Sequence, residues 1–352
     1  MRDSTIDIVK GIGIILVVLC HNWILYFNRG ELSNIVFSFH MPLFFFVSGI
    51  FFKPSQSFKD LLISKSDGLL KPFFVVLLSI YFYHIISHSK VDSLNELIGI
   101  IYGSGGTVIW TPLWFLTHLF IVFIVSWLFY KGVLTRVNKL FYQAIILFFV
   151  LYVGAENIGL FANNTLANMI YYDDRSLVKG LPFNLDIVLV TMPIFLTAFL
   201  FSRYFVNFRF KPIIALMATT LFIALHYFFN ETLELNGRQY GNFIICTIQM
   251  CAGIYLTFSI ANLINQYAPY LKQILAYMGK ASLFIFIFHY AAQHYVTGVL
   301  HYYYPEYKFL GASIGMVTSI LLSLVLWEIT QRSQALSSLM LSKRPTRVVA
   351  NS

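Results

Sequence analysis

Long apolar runs separated by short polar segments follow one another along the whole chain. About 20 apolar residues, rising about 1.5 Å each, cross the hydrocarbon core of a bilayer as a helix. Ten runs come close to that length, and the predicted spans are residues 8–26, 35–52, 70–88, 112–130, 139–156, 183–202, 212–229, 239–260, 281–300 and 309–331. The pattern predicts an all-α, polytopic integral membrane protein with a single membrane-embedded domain over residues 1–352.

Composition and charge agree with this pattern and add an orientation. Hydrophobic residues make up 58% of the chain and charged residues 11%, with a mean hydropathy of +0.74, which excludes an ordinary soluble domain. Of the 24 Lys and Arg residues, 18 fall on the side of the two termini and 6 on the other side. Cytoplasmic segments are enriched in Lys and Arg, so we expect both termini in the cytoplasm. The same bias explains the net charge of +9 without a nucleic-acid partner.

The three cysteines do not indicate redox or metal chemistry. Cys20, Cys246 and Cys251 all lie inside apolar runs. This placement favours packing over a disulfide framework or a thiolate metal site, and we expect no metal cofactor.

The first span carries a cation and an imidazole on one side. Lys10 and His21 are eleven residues apart, which is close to three whole turns, and the residues between them are apolar. The helical rise places His21 about 16 Å further along the axis than Lys10. An ionisable group at such a depth in a membrane marks a candidate functional site.

Three further histidines fall at a similar depth in other spans. His40, His118 and His289 lie, like His21, roughly 12 to 20 Å from the cytoplasmic ends of their spans. Four histidines at one level of a helix bundle predict a shared polar cavity. Pro42 follows His40 closely and removes a backbone donor, so we expect the second span to be kinked in its outer third.

Several short motifs share one order and spacing with a known family. They are Lys10 with His21, His40-Met41-Pro42 followed by Ser48-Gly49, Leu113-Trp114-Phe115-Leu116, and Gly279, Ser282 and His289. In these motifs the chain resembles the membrane acyltransferase family called acyltransferase 3, and within it the sugar O-acetyltransferase branch with fucose 4-O-acetylase-like proteins. The resemblance extends over nearly the whole chain. One departure lies before the third span, where many members carry two arginines: Lys71 matches the second, and Gly68 replaces the first.

The resemblance implies acyl transfer from acetyl coenzyme A to a glycan hydroxyl, with His21 as the catalytic residue. A neutral imidazole can accept the proton of an attacking hydroxyl, which suits that role. Lys10, Asp7 and Lys71 are the expected acyl-CoA contacts, and Gly11 with Gly13 would leave the helix surface open beside Lys10. Candidates for oxyanion support or for lining the cavity are Asn22, His40, Ser48, Trp114, His118 and His289. Direct transfer and an acyl-histidine intermediate are both open.

The resemblance also implies partners and a location. The expected partners are the lipid bilayer and a carbohydrate acceptor, either polyprenyl-linked or part of a surface polysaccharide such as O-antigen. The expected membrane is the bacterial inner membrane. Acetyl coenzyme A is cytoplasmic whereas His21 lies deep in its span, so we expect the acceptor to be modified on the outer face.

Two functions without acyl-transfer chemistry fit the same composition. A secondary transporter also has about ten spans, kinked helices and buried ionisable groups, although Pro42 lacks the counterpart in a second half that such transporters carry. A polysaccharide export or flippase component is the other alternative.

Overall fold

The structure, a computed structural model, describes residues 4–22, 30–87, 93–162 and 180–342. Within these ranges the helices are α1 (Thr5–Cys20), α2 (Glu31–Phe37), α3 (His40–Ile50), α4 (Phe58–Lys65), α5 (Lys71–Ile86), α6 (Ser93–Tyr102), α7 (Trp114–Gly132), α8 (Leu140–Glu156), α9 (Val188–Leu200), α10 (Ser202–Val206), α11 (Pro212–Phe228), α12 (Phe243–Tyr267), α13 (Pro269–Lys280), α14 (Ser282–Tyr303), α15 (Lys308–Arg332) and α16 (Gln334–Met340). A π-helix (Ser66–Leu70) joins α4 to α5, and short 3-10 turns occupy Thr111–Leu113, Leu134–Arg136, Pro182–Ile187 and Pro305–Tyr307.

One small hairpin departs from the expected all-α fold. Strands β1 (Leu233–Glu234) and β2 (Gln239–Tyr240) pair antiparallel, with Leu233 opposite Tyr240. The hairpin takes up the beginning of the span predicted at 239–260, so α12 starts at Phe243 instead. The rest of the described chain is helical or connects helices.

Seven helical segments of the described residues are long and apolar enough to cross a membrane. They are Leu32–Ile50, Phe58–Ile86, Thr111–Arg136, Pro182–Leu200, Phe243–Tyr267, Ser282–Tyr303 and Pro305–Arg332. Two shorter apolar helices, α8 and α11, and the 16-residue α1 coincide with the other three predicted spans. The protein is therefore a helical integral membrane protein, while the count of ten spans and the cytoplasmic termini stay predictions.

Helix α1 ends earlier than its predicted span. The His21 N–H still donates to the Val17 carbonyl (3.3 Å), but φ −94° and ψ 6° at His21 end the helical path after Cys20. Asn22 closes the turn by donating its N–H to the Leu19 carbonyl (3.0 Å). The last part of the predicted span, residues 23–26, lies outside the described residues.

The expected kink in the second span is a complete break. Ser38 and Phe39 separate α2 from α3, just upstream of Pro42. Pro42 has no N–H to donate to the Ser38 carbonyl, and as the third residue of α3 it stands in a first helical turn, where that N–H would have no partner within the helix, so proline fits a new helix start better than a helix interior. As a result His40 becomes the first residue of α3.

Two segments predicted as cytoplasmic loops are helical. Helix α4 begins after Ser57, whose hydroxyl accepts from the Asp60 N–H (3.1 Å), and continues through the π-helix into α5. Helix α13 buries Leu275, Met278 and Gly279 and exposes its other face. Both helices are too polar along their length to register as apolar runs, because only one side of each is buried.

Helix α1 is packed by α3, α12, α13 and α14. Its closest neighbour is α13: a Cβ on Gly11 would collide with the Leu275 carbonyl, and a Cβ on Gly279 would collide with the Asp7 carbonyl. Small residues let helix backbones approach this closely inside a membrane protein. Gly11 is therefore covered by α13, and the expectation that it leaves an open surface beside Lys10 is wrong.

A buried ion pair joins the connections at one end of the bundle. Arg238 donates to the Asp186 carboxylate through Nε (2.8 Å) and Nη2 (3.2 Å), and Nη2 also donates to Asn184 Oδ1 (2.8 Å). The two charged side chains are 0% and 1% exposed. The hydroxyl of Tyr102 donates to the Gly180 carbonyl (2.6 Å) beside them. These contacts fasten α6, the 3-10 turn before α9 and the hairpin together.

Candidate active site

Two imidazoles and a phenol meet at the end of α1. The ring centroid of His21 lies 5.3 Å from that of His289 and 5.5 Å from that of Tyr290. His21 is partly buried and His289 is completely buried in the middle of α14. The end of one helix and the midpoint of another thus bring together two groups that are distant in sequence.

The hydrogen bonds of His289 define its tautomer. Its Nδ1 lies 2.8 Å from the Ile285 carbonyl and 2.9 Å from the Phe286 carbonyl. Carbonyl oxygens only accept, so Nδ1 carries the proton and Nε2 of the neutral ring is an acceptor. Within the described part of the chain, this buried Nε2 has no hydrogen-bond partner. A lone pair that can receive a proton or a hydrogen bond therefore lies on the ring that contacts His21.

His40 adds a third imidazole near the end of α1. The Sγ atom of Cys20 lies 4.0 Å from His40 Nδ1. The same Nδ1 donates to the Val36 carbonyl (2.9 Å), and the ring stands edge-on to Phe37 with centroids 5.0 Å apart. The break between α2 and α3 makes His40 the first residue of α3 and places its ring beside Cys20. We refer to His21, His40 and His289 as the histidine cluster.

His118 lies apart from the histidine cluster, together with Trp114. Its Nε2 accepts from the Thr191 hydroxyl (2.8 Å), and its Nδ1 donates to the Phe183 carbonyl (3.3 Å), so both ring nitrogens are engaged. The Trp114 ring lies 5.8 Å from His118. Successive ring contacts lead from His118 to His289 through Phe45, Phe115 and Phe286. The structure thus brings three of the four predicted histidines together and gives His118 a packing position between α7 and α9.

Lys10 and Asp7 lie toward the other end of α1. Because α1 is helical from Thr5 to Cys20, Lys10 stands about 16 Å from His21 along the axis, as the sequence predicts. Lys10 is partly exposed, whereas Asp7 is 4% exposed and its carbonyl faces Gly279 of α13. A charged group at one end and an imidazole at the other therefore belong to one rigid element.

Lys71 follows the π-helix directly. Its Nζ donates to Asp67 Oδ1 (2.6 Å) and to the Leu341 carbonyl after α16 (2.6 Å). Single-turn π-helices occur frequently at functional sites, because they reposition the side chains that follow. The side chain is about one-fifth exposed. An ammonium has three N–H donors, so these two contacts leave one for a further acceptor.

Asn22 and Ser48 occupy different levels of the molecule. Asn22 is fully buried and donates Nδ2 to the Ala312 carbonyl of α15 (2.9 Å), which anchors the residue next to His21. Ser48 lies two turns along α3 from His40. Since α3 runs antiparallel to α1, with Leu43 against Gly13, this register places Ser48 near the level of Lys10. Oxyanion support by Ser48 at His21 does not fit that register.

A family model described as an acyltransferase domain, acyltransferase 3, matches residues 3–328. The chain belongs to the acyltransferase 3 family. It is therefore a membrane acyltransferase, and the match includes Lys10, the histidine cluster and most of α15. No curated protein and no solved structure matches the chain. Family membership favours the enzyme over the transporter and flippase interpretations.

The sequence interpretation of this acyltransferase missed several residues beside His21. Tyr290 contacts its ring, and the ring of His294 lies 4.4 Å from that of Tyr290. Gln293 and Thr297 follow His289 at intervals of four residues in the same helix and are 0% and 1% exposed. A polar residue every fourth position within an apolar run was readable from the sequence, because such residues share one helix face.

Proposed function

We propose that this acyltransferase moves an acetyl group from acetyl coenzyme A to a hydroxyl of a lipid-linked or cell-surface glycan, with His21 as the catalytic base. The observation that carries the proposal is the arrangement on α1. A cation stands in α1 and an imidazole directly follows its last residue, three turns further along, and the imidazole contacts a second, fully buried histidine. Such a pair suits a long donor with an anionic end and a reactive thioester.

The chemistry requires one proton acceptor at the reacting atoms. His21 takes the proton from the acceptor hydroxyl as its oxygen attacks the thioester carbonyl carbon. The new C–O bond forms, the C–S bond breaks, and His21 returns the proton to the departing thiolate. In a water-excluded interior, a neutral imidazole can do this without a metal ligand or a net uptake of protons.

The donor would bind toward the beginning of α1. The ammonium of Lys10 is the expected partner of a coenzyme phosphate, and Asp7 lies one turn before it. Lys71 can share its third N–H donor with a second phosphate oxygen while it holds Asp67 and Leu341. The distance of about 16 Å from Lys10 to His21 then separates the phosphates from the thioester.

The acceptor would be a carbohydrate on the outer face of the bacterial inner membrane. This assignment draws on the sugar O-acetyltransferase resemblance and on the positive-inside orientation of the termini. It connects the enzyme to modification of polyprenyl-linked intermediates or of surface polysaccharide such as O-antigen.

The test is the acetyl content of surface glycans from cells that carry the wild-type gene, His21→Ala, or no gene. His226→Ala is the matched control, because His226 lies on α11 and donates Nδ1 to its own helix at the Phe222 carbonyl (2.8 Å). We expect glycans with the added mass of acetyl groups in wild type and His226→Ala only. Acetylated glycan in the His21→Ala cells, at equal protein level, would contradict the proposal.

A further inference from the structure

A row of buried polar side chains continues from His289 along α14. His289, Gln293 and Thr297 are spaced by four residues, so they lie on one face of the helix. Their exposures are 0%, 0% and 1%. The row is about 12 Å long at a rise of about 1.5 Å per residue. We call it the α14 polar row.

The α14 polar row contains four polar atoms without a hydrogen-bond partner among the residues that the structure describes. They are His289 Nε2, both side-chain polar atoms of Gln293, and Thr297 Oγ1. In a membrane interior an unsatisfied polar group is strongly disfavoured, because neither water nor lipid tails replace the missing hydrogen bond. Three successive residues of this row carry such atoms, which favours a bound ligand that supplies both donors and acceptors.

Small residues of α15 face the α14 polar row. A Cβ on Gly315 would collide with Thr297 Oγ1, and Gly311 lies against Leu300. The ring contact between Phe284 and Trp327 fixes the same antiparallel register further along the pair. Continuing that register in steps of four residues puts Ser319 opposite Gln293 and Ser323 opposite His289. Both serines are fully buried and donate to carbonyls of their own helix, at Met316 (2.8 Å) and Ser319 (2.7 Å).

The row begins at His289, whose ring contacts the proposed catalytic residue His21. His21 contacts His289, and Asn22 donates to Ala312 on α15, so the end of α1 closes the corner between α14 and α15. The start of α1 packs on α13, which leads directly into α14, so α1 and α14 run in the same direction. Gln293 and Thr297 consequently lie on the side of the His21–His289 contact away from Lys10, alongside the end of α1, where Asn22 reaches Ala312.

We propose that the α14 polar row is the acceptor side of the active site and binds hydroxyl groups of the carbohydrate acceptor next to His21. The inference rests on the proposed function and assigns Gln293 and Thr297, with His289, to one substrate. Gln293 offers a donor and an acceptor to a hydroxyl, Thr297 offers one more of each, and His289 Nε2 accepts. Donor and acceptor then approach His21 from opposite ends of α1.

The test uses the purified full-length enzyme in lipid vesicles, with labelled acetyl coenzyme A. The acceptor probe is the lipid-linked glycan fraction extracted from cells that lack this protein, titrated as a mixture. The variants are Gln293→Leu and Thr297→Val, with Thr297→Ser as the conservative replacement that keeps a hydroxyl. Thr257→Val is the matched control, because its buried hydroxyl already donates to the Gly253 carbonyl (2.8 Å).

We expect Gln293→Leu and Thr297→Val each to raise the half-saturating acceptor concentration about tenfold, since each removes a buried hydrogen bond to the acceptor. Binding of acetyl coenzyme A, measured without acceptor, should stay unchanged. Thr297→Ser, which keeps the hydroxyl, should recover most of the acceptor affinity lost in Thr297→Val, and Thr257→Val should behave as wild type.

The outcomes separate this proposal from the proposed function. If no His21-dependent label enters the glycan fraction, the proposed function fails. If His21-dependent transfer occurs but its half-saturation does not move in Gln293→Leu or Thr297→Val, the α14 polar row binds only water and the inference is overturned. Should Gln293→Leu fail to fold, the comparison of Thr297→Val with Thr297→Ser decides.

Discussion

Adding one methyl group at Gly279 should disturb the active site from a distance. Gly279 belongs to α13, where its Cα faces the Asp7 carbonyl of α1. In Gly279→Ala, the new Cβ would stand 2.8 Å from the Asp7 carbonyl carbon, against 3.4 Å or more for ordinary contact. Helix α1 must therefore retreat by at least 0.6 Å, and the nearer carbonyl oxygen requires more.

This displacement has a cost in stability and a larger one in rate. Overpacking costs about 1–3 kcal/mol, and alanine recovers about 0.5–1 kcal/mol of helix propensity, so we expect a net loss on the order of 1 kcal/mol. A shift of about 1 Å in a reacting group can cost on the order of a hundredfold in rate. Because α1 carries Lys10 and His21 as one rigid element, we expect kcat/KM for acetyl coenzyme A to fall about tenfold.

The assay measures transfer of labelled acetyl groups by purified enzyme, alongside thermal unfolding in detergent. Gly298→Ala is the matched control: it also replaces a helical glycine, but nothing lies within 4 Å of the added Cβ. We expect that control to unfold at the wild-type temperature or slightly above it, with unchanged transfer. Wild-type kcat/KM and stability in Gly279→Ala would refute the reasoning that the α1–α13 contact positions the site.

Three further variants test separate parts of the structure. Lys10→Met should raise KM for acetyl coenzyme A about tenfold or more, because a charge-assisted phosphate contact contributes about 1.5–3 kcal/mol. Lys10→Arg keeps the charge and should restore most of the wild-type affinity, so equal KM values in the two variants would count against a phosphate contact. Asn22→Ala removes the buried hydrogen bond to the Ala312 carbonyl and should lower stability by about 1–3 kcal/mol in thermal unfolding, with slower acetyl transfer. Unchanged unfolding would mean that this hydrogen bond does not hold the end of α1. Arg238→Ala leaves Asp186 buried without its cation and should lower the free energy of unfolding by about 3–5 kcal/mol. Arg332→Ala removes an 82% exposed partner of Glu328 and should unfold like wild type. Similar unfolding of the two variants would contradict the account of the buried pair.

Hydropathy predicts the membrane helices well because burial in lipid or in the bundle demands apolar side chains along a whole segment. It does not predict α4 and α13, which are apolar on one face only. Neither hydropathy nor the charge pattern predicts that α13 packs against α1, because that contact depends on Gly11 and Gly279, which are 268 positions apart in the sequence. Local sequence patterns predict single helices, whereas the contacts between helices that are distant in sequence are seen only in the folded structure.

The candidate site, too, can be predicted from the sequence only in part. The spacing of Lys10 and His21 follows from the helical repeat, so the sequence alone predicts their separation. The contact between His21 and His289 cannot be predicted this way, because depth along a span does not say which helices are neighbours. His118 illustrates the difference: it matches the other histidines in depth, yet its two nitrogens bind Thr191 and the Phe183 carbonyl.

The central claim is that a donor bound at the start of α1 passes its acyl group, with His21 as the base, to an acceptor on the opposite side. The most direct measurement supplies labelled acetyl coenzyme A only to the cytoplasmic face of sealed, oriented membrane vesicles and follows label in glycan on each face. We predict label in glycan of the outer face with wild-type enzyme and none with His21→Ala. Label confined to cytoplasmic-face glycan, or outer-face label that persists in His21→Ala, would contradict the account.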